Sequence, residues 1–301
     1  MREAKNEVKI EGILSEIDIK VGSFVKNGNT VENISGSIKV RVDSPEGQLE
    51  IPVHLYSNKL TNKGTPNPAY TSIEKVMTDF VSIAATDEAH ADRVRLTGKL
   101  KMNEYADQNG RITSYPRITA SFINRIRKEE MKPKATFSVE FMIGQMGFEL
   151  DKDGVETSTY AIKGIVPQWG DSVDVVTFHV SNENVRSAIS SFWQQDDCVQ
   201  AEGRLNFSSV TETKIVQPDF GEPREETRTI NLSELLITGG CSTPLEGDMA
   251  WSMDEITAAL ADRKARLDAS IEKGKAKASQ KKAPAPAQSV SASTKGFDLG
   301  F

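Results

Sequence analysis

Asp92-Arg93-Val94-Arg95-Leu96-Thr97-Gly98-Lys99-Leu100 recurs in pattern as Asp197-Cys198-Val199-Gln200-Ala201-Glu202-Gly203-Arg204-Leu205. Upstream of each stretch stands a second matching pair. Val53-His54-Leu55 and Phe178-His179-Val180 are each followed within two residues by Ser-Asn. Between the pairs lie segments of helical spacing, 71–83 and 184–193. Downstream, Ile118-Thr119-Ala120-Ser121-Phe122-Ile123 resembles Ile230-Asn231-Leu232-Ser233-Glu234-Leu235. Four elements in one order argue for an internal repeat.

Each unit reads as three strands, a helix and two more strands. In the first unit, Val8, Ile10, Gly12 and Leu14 alternate with polar residues, and Lys26-Asn27-Gly28-Asn29 is a hairpin turn signal. Residues 34–42 and 48–56 keep period two, and a loop with Pro66 and Pro68 follows. Ile73, Val76, Met77, Phe80 and Val81 have helical spacing. Residues 93–102, a turn at Gln108-Asn109-Gly110 and residues 111–123 close the unit. The second unit repeats this over 136–150, 160–166, 172–180, a helix, 198–207 and 227–237. A helix between the third and fourth strands of a five-stranded antiparallel unit is the arrangement of the OB-fold barrel. The expected architecture is therefore mainly β. Two tandem OB-fold-like barrels span residues 1–132 and 133–243, an amphipathic helix 244–274, and a disordered basic tail 275–301.

The chain has 301 residues, 38% hydrophobic and 27% charged, and a formal net charge of −6. It has no run of 18 apolar residues and so no expected spanning helix. Its first residues, Met1-Arg2-Glu3-Ala4-Lys5, lack the apolar core of a secretory signal. Cys198 and Cys241 form no CxxC pair, which excludes a thiolate zinc site and a disulfide framework and fits a cytoplasmic protein. The net charge argues against nucleic acid until it is resolved by region. It is +2 over 1–132, −14 over 133–262 and +6 over 263–301.

On the fourth strand, Val94, Leu96, Gly98 and Leu100 point inward, leaving Arg93, Arg95, Thr97, Lys99 and Lys101 outward. Four cations on one strand face result; the equivalent positions of the second unit sum to zero. Lys39 and Arg41 face outward on the second strand, and His54 and Tyr56 on the third, with Lys59 just beyond. Phe24 and Lys26 sit at the first hairpin, and Tyr105, Arg111, Tyr115 and Arg117 around the last. Cations interleaved with exposed aromatics suit single-stranded nucleic acid, because Lys and Arg contact phosphates and unpaired bases stack on rings. The candidate nucleic-acid residues are therefore Phe24, Lys26, Lys39, Arg41, His54, Tyr56, Lys59, Lys99, Lys101, Tyr105, Arg111 and Tyr115. The second unit carries Trp169, Trp193, Phe207 and Phe220 on a strongly acidic background. It reads as a module for protein interaction or self-association. Trp193 is expected in the core and Trp169 at an exposed turn.

Ser252-Met253-Asp254-Glu255 is a capping box, and Ile256, Leu260, Leu267 and Ile271 form one apolar stripe behind it. Beyond Gly274 the composition turns to Lys, Ala, Ser and Pro, expected to be disordered. The chain ends Lys295-Gly296-Phe297-Asp298-Leu299-Gly300-Phe301. This layout resembles the single-stranded DNA-binding proteins of bacteria and their phages. The resemblance implies a non-catalytic protein of DNA replication or recombination, working in the cytoplasm, or in the host cytoplasm if phage-encoded. It also implies that Phe297, Asp298, Leu299 and Phe301 recruit replication and recombination proteins. Single-stranded DNA is the expected partner, with RNA and self-association open. No Walker loop or HExxH pattern is present, no residues suggest catalysis, and no cofactor or metal is expected. The other reading is an acidic scaffold or adaptor, such as a phage assembly or inhibitor protein, that binds a basic protein partner.

Overall fold

The structure is a computed structural model that describes residues 1–44, 47–107, 109–151, 153–216 and 224–281. The chain runs β1 (Asn6–Lys26), β2 (Asn29–Ser44), β3 (Gly47–Asn58), α1 (Pro68–Asp79), β4 (Arg93–Ala106) and β5 (Ile112–Ile126). It continues with β6 (Lys134–Leu150), β7 (Glu156–Gln168), β8 (Ser172–Val180), α2 (Glu183–Phe192), β9 (Cys198–Val216), β10 (Arg224–Gly240) and α3 (Met253–Lys281).

The protein is mainly β. β1 pairs antiparallel with β2 and with β4, β2 with β3, and β4 with β5. A short parallel pairing, Val53 with Ile118 and His54 with Thr119, closes these five strands into a ring. β6 to β10 pair in the same cyclic order, with Leu236 against His179 as the parallel contact. Antiparallel pairing of Asn6–Glu11 with residues 134–139 joins the two sets in one sheet.

Period-two sequence produces this directly. Ile38, Val40 and Val42 of β2 and Leu49, Ile51, Val53 and Leu55 of β3 are all buried. The first hairpin turns on Asn27 and Gly28, whose φ values of 52° and 79° are what a two-residue primed turn demands. Asn67 caps α1 by accepting from the Ala69 N–H, and Pro68 occupies the first turn, where no N–H is needed. Asn182 caps α2 in the same way. Trp193 is buried with its Nε1–H donating to the Cys241 carbonyl at 2.7 Å, whereas Trp169 stands 83% exposed. Phe220 lies outside the described residues.

Three boundaries differ from expectation. Residues 1–5 lie on the second set of strands: the Met1 amine meets Asp171 at 2.7 Å, the Arg2 guanidinium meets the buried Glu140 at 2.7 Å, and Ala4 N–H donates to the Pro167 carbonyl. The C-terminal helix starts at Met253, not 244, behind the expected Ser252–Glu255 capping box. It also continues past Gly274 to Lys281. One internal glycine costs a helix only about 1 kcal/mol, and the Lys, Ala and Gln that follow are strong helix formers. This helix packs on β8 and also on β4, so it spans both sets of strands. Phe297, Asp298, Leu299 and Phe301 lie outside the described residues.

Candidate nucleic-acid interface

An open groove of about 1200 Å³ lies over the outer face of β2, β3 and β5. The register sets its floor. Lys39 stands beside Pro52, Ser37 beside His54, and Arg41 beside Glu50. Across the parallel junction, His54 neighbours Thr119, which brings Arg117 next to Pro52. Tyr115 and Pro116 form one end, and Ser233 of β10 reaches the same groove, so both sets of strands wall it.

The carboxylates in this groove decide which cations are free. Lys39 pairs with Glu16 at 2.6 Å, and that hydrogen bond raises its pKa. Arg41 pairs with Glu50 at 2.9 Å and Glu88 at 3.5 Å. Arg117 has no ion pair or hydrogen bond among the described residues, and its buried Nε lacks a partner. Burial lowers the pKa of His54, as does the positive Arg117; a hydrogen bond with the Gly36 backbone opposes them. His54 is therefore neutral at pH 7 and can accept a hydrogen bond. With Glu16 and Glu50 balancing Lys39 and Arg41, the groove lining carries one net positive charge, on Arg117.

The expected four-cation face of β4 is corrected. Arg93 is buried, its guanidinium donating to the Ala89 and Ala91 carbonyls. Arg95 binds the buried Glu11 at 2.8 Å, and Lys99 binds Glu3 at 2.7 Å. Lys101 alone of the four has neither an ion pair nor a side-chain hydrogen bond among the described residues, and it stands in register with Arg117. Alternation gave the outward direction of Arg95 and Lys99, but not the acids brought beside them by residues 1–11. Lys59, outside the groove, pairs with Glu32.

The remaining candidates fall in separate places. Phe24 and Lys26 are exposed at the β1–β2 hairpin, away from the groove lining. Tyr105 and Tyr115 stand edge to face with centroids 6.5 Å apart, and Asn103 donates to the Tyr115 hydroxyl at 2.8 Å. Arg111 is exposed beside them. Helix α3 holds this hairpin: Arg263 grips Glu104 and the Ala106 N–H donates to Ser270 Oγ. Tyr56 lies further along β3, 48% exposed, its hydroxyl donating to Asn58 Oδ1 at 2.7 Å. Sequence reasoning passed over Pro52, Pro116 and Ser233 and left Arg117 out of the chosen set. The alternation of Tyr115 and Arg117 on one strand face was the available signal for Arg117.

Among the described residues, no group of three or more His, Cys, Asp or Glu is placed to hold a metal ion. Nor is any helix among the described residues long and apolar enough to cross a membrane.

No curated protein matches the chain. Solved structures similar to it include two of one protein. One is the wild-type single-stranded DNA binding protein from Thermus aquaticus, at 12% identity and a TM-score of 0.44, covering 83% of this chain and 98% of that one. The other is a deletion mutant of the same protein, at 13% identity and a TM-score of 0.41, covering 82% and 98%. A family model described as YorF matches residues 5–273, from the strand that begins the first ring to the penultimate turns of α3, and the chain belongs to that family.

Proposed function

We propose that the chain is a pair of OB-fold barrels and that the first binds single-stranded nucleic acid, DNA before RNA, without catalysing a reaction. The observation that carries this is the Arg117 guanidinium, without a partner among the described residues on the floor of an open groove and flanked by the exposed Tyr115 ring. A guanidinium so placed binds one phosphate, and the neighbouring ring takes a base. Lys39 and Arg41 join by exchanging Glu16 and Glu50 for phosphate, since partly exposed ion pairs are worth only about 0–1 kcal/mol. Lys101, Arg111 and Tyr105 extend the contact toward the β4–β5 hairpin, and Phe24 and Lys26 meet the strand at the β1–β2 hairpin. The acidic second barrel serves protein contact. A role in replication or recombination, with Phe297, Asp298, Leu299 and Phe301 recruiting partner proteins, completes the reading.

Fluorescence anisotropy with a labelled oligothymidylate, repeated across salt concentrations, tests it. Binding should weaken with salt by about 0.7 log units per tenfold for each neutralised phosphate. Arg117→Ala should reduce both the affinity and that slope, the slope by about 0.7. No binding at low salt, or an Arg117→Ala curve that overlays the wild type, removes the proposal.

A further inference from the structure

A second ring-lined feature lies on the same outer surface and is absent from the site above. Phe122 of β5 is 70% exposed, the most exposed aromatic ring of the first set of strands. With Tyr56 of β3 it flanks a cleft of about 110 Å³ floored by Leu55, Ile73 and Ile123. Ser72 of α1, Ser121 and Asn124 line the same cleft and supply polar groups. The Tyr56 ring is held by its hydrogen bond to Asn58. The outward position of Phe122 comes from a bulge. Gly98 pairs with Ala120 but Thr97 pairs with Phe122, so Ser121 is the extra residue and Phe122 turns outward.

The cleft is continuous with the groove. Along β5 the outward residues run Tyr115, Arg117, Thr119 and, past the bulge, Phe122; along β3 they run Pro52, His54 and Tyr56. From Tyr115 to Phe122 the strand covers about 20 Å. We infer that the Tyr56–Phe122 cleft is a second base-stacking site, which takes one base of a single strand whose phosphate is held at Arg117 and whose other end stacks on Tyr115. This rests on the groove being a nucleic-acid site. A flat heteroaromatic base fits the features of this cleft: two exposed ring faces, an apolar floor, and hydroxyl and amide groups at the margin able to meet its polar edge. The site then has a stacking platform at each end and, between them, Arg117, the cation of the groove lining with no ion pair among the described residues.

The full chain is titrated with oligothymidylates of about four and about twelve nucleotides, lengths at the low end and in the upper part of the range that one OB fold occupies. The variants are Phe122→Ala, Phe122→Trp and Arg117→Ala; the exposure of Phe122 leaves folding intact, checked by circular dichroism. Phe122→Ala should weaken the longer oligonucleotide about 5-fold to 150-fold, the loss of one stacked base. Phe122→Trp should retain affinity and add a tryptophan quench on binding that the wild type lacks. If Phe122→Ala binds the longer oligonucleotide like the wild type while Arg117→Ala is weakened, the cleft takes no base and the groove reading stands. If the wild type binds neither length, the groove reading fails and takes this inference with it.

Discussion

At the scale of single residues, the same charged side-chain type serves opposite ends in this protein, and burial separates them. Glu11 is almost fully buried on β1. Burial alone would raise its carboxyl. Donation from Arg95, the Lys132 backbone N–H and Lys134 outweighs that and holds its pKa down at about 2. A carboxylate with a lowered folded pKa stabilises the protein fully above its ordinary value of 4.5 and loses that contribution as pH falls toward 2. Glu11→Gln should therefore cost about 2–3 kcal/mol in urea denaturation at pH 7 and progressively less from pH 4.5 downward. A penalty that is the same at pH 7 and pH 3 contradicts the pairing. Arg95 is accordingly structural, whereas Arg117, with the same side chain, has no ion pair among the described residues. The sequence places both residues outward on strands. It does not reveal that Glu11, 84 residues away, faces one of them.

At the scale of elements, the repeated glycines explain why the repeat is legible at all. Gly98 of β4 and Gly203 of β9 occupy equivalent positions where the neighbouring strand leaves no room for a Cβ. A Cβ on Gly98 would lie 2.5 Å from the Thr119 carbonyl, and one on Gly203 would lie 2.1 Å from the Leu236 carbonyl. Thr119 and Leu236 are also the residues that make the parallel contacts with His54 and His179. Only glycine admits this approach, so the sequence keeps the same mark at both closures. Gly98→Ala and Gly203→Ala should each overpack the junction by roughly 2 kcal/mol and lower the melting midpoint by about 5 °C. An unchanged thermal melt would mean the strands separate there at no cost. The bulge at Ser121 is the opposite case. Strict alternation from Ile118 sends Phe122 into the core, and one inserted residue, which no composition marks, turns it to solvent.

At the scale of the molecule, the two sets of strands are joined by the β1–β6 pairing, by residues 1–5 and by α3. Asp174 of β8 sits in this junction. It accepts from the Met102 N–H of β4, with Glu104, Lys101 and Arg263 around it. Burial raises its pKa, and nearby Glu104 adds to this against the Met102 N–H, Lys101 and Arg263. An acid with a raised folded pKa costs stability while ionised, and the cost fades as pH falls through the folded value. Asp174→Asn keeps an acceptor for Met102 and removes the charge, so at pH 7 it should match or exceed the wild type in stability, with the margin closing in acid. Lower stability at pH 7 would show that the charge itself holds the junction. By itself, the sequence determined the strand alternation, the caps, the turns and the repeat, because each depends on residues close together in the chain and on two fixed periodicities. The tertiary structure decided which outward cations remain free, where an aromatic turns outward, and which segments wall the groove. Those outcomes depend on pairings between residues far apart in sequence, such as Glu3 with Lys99 and Ser233 beside the β2–β3 face, and no local pattern encodes them.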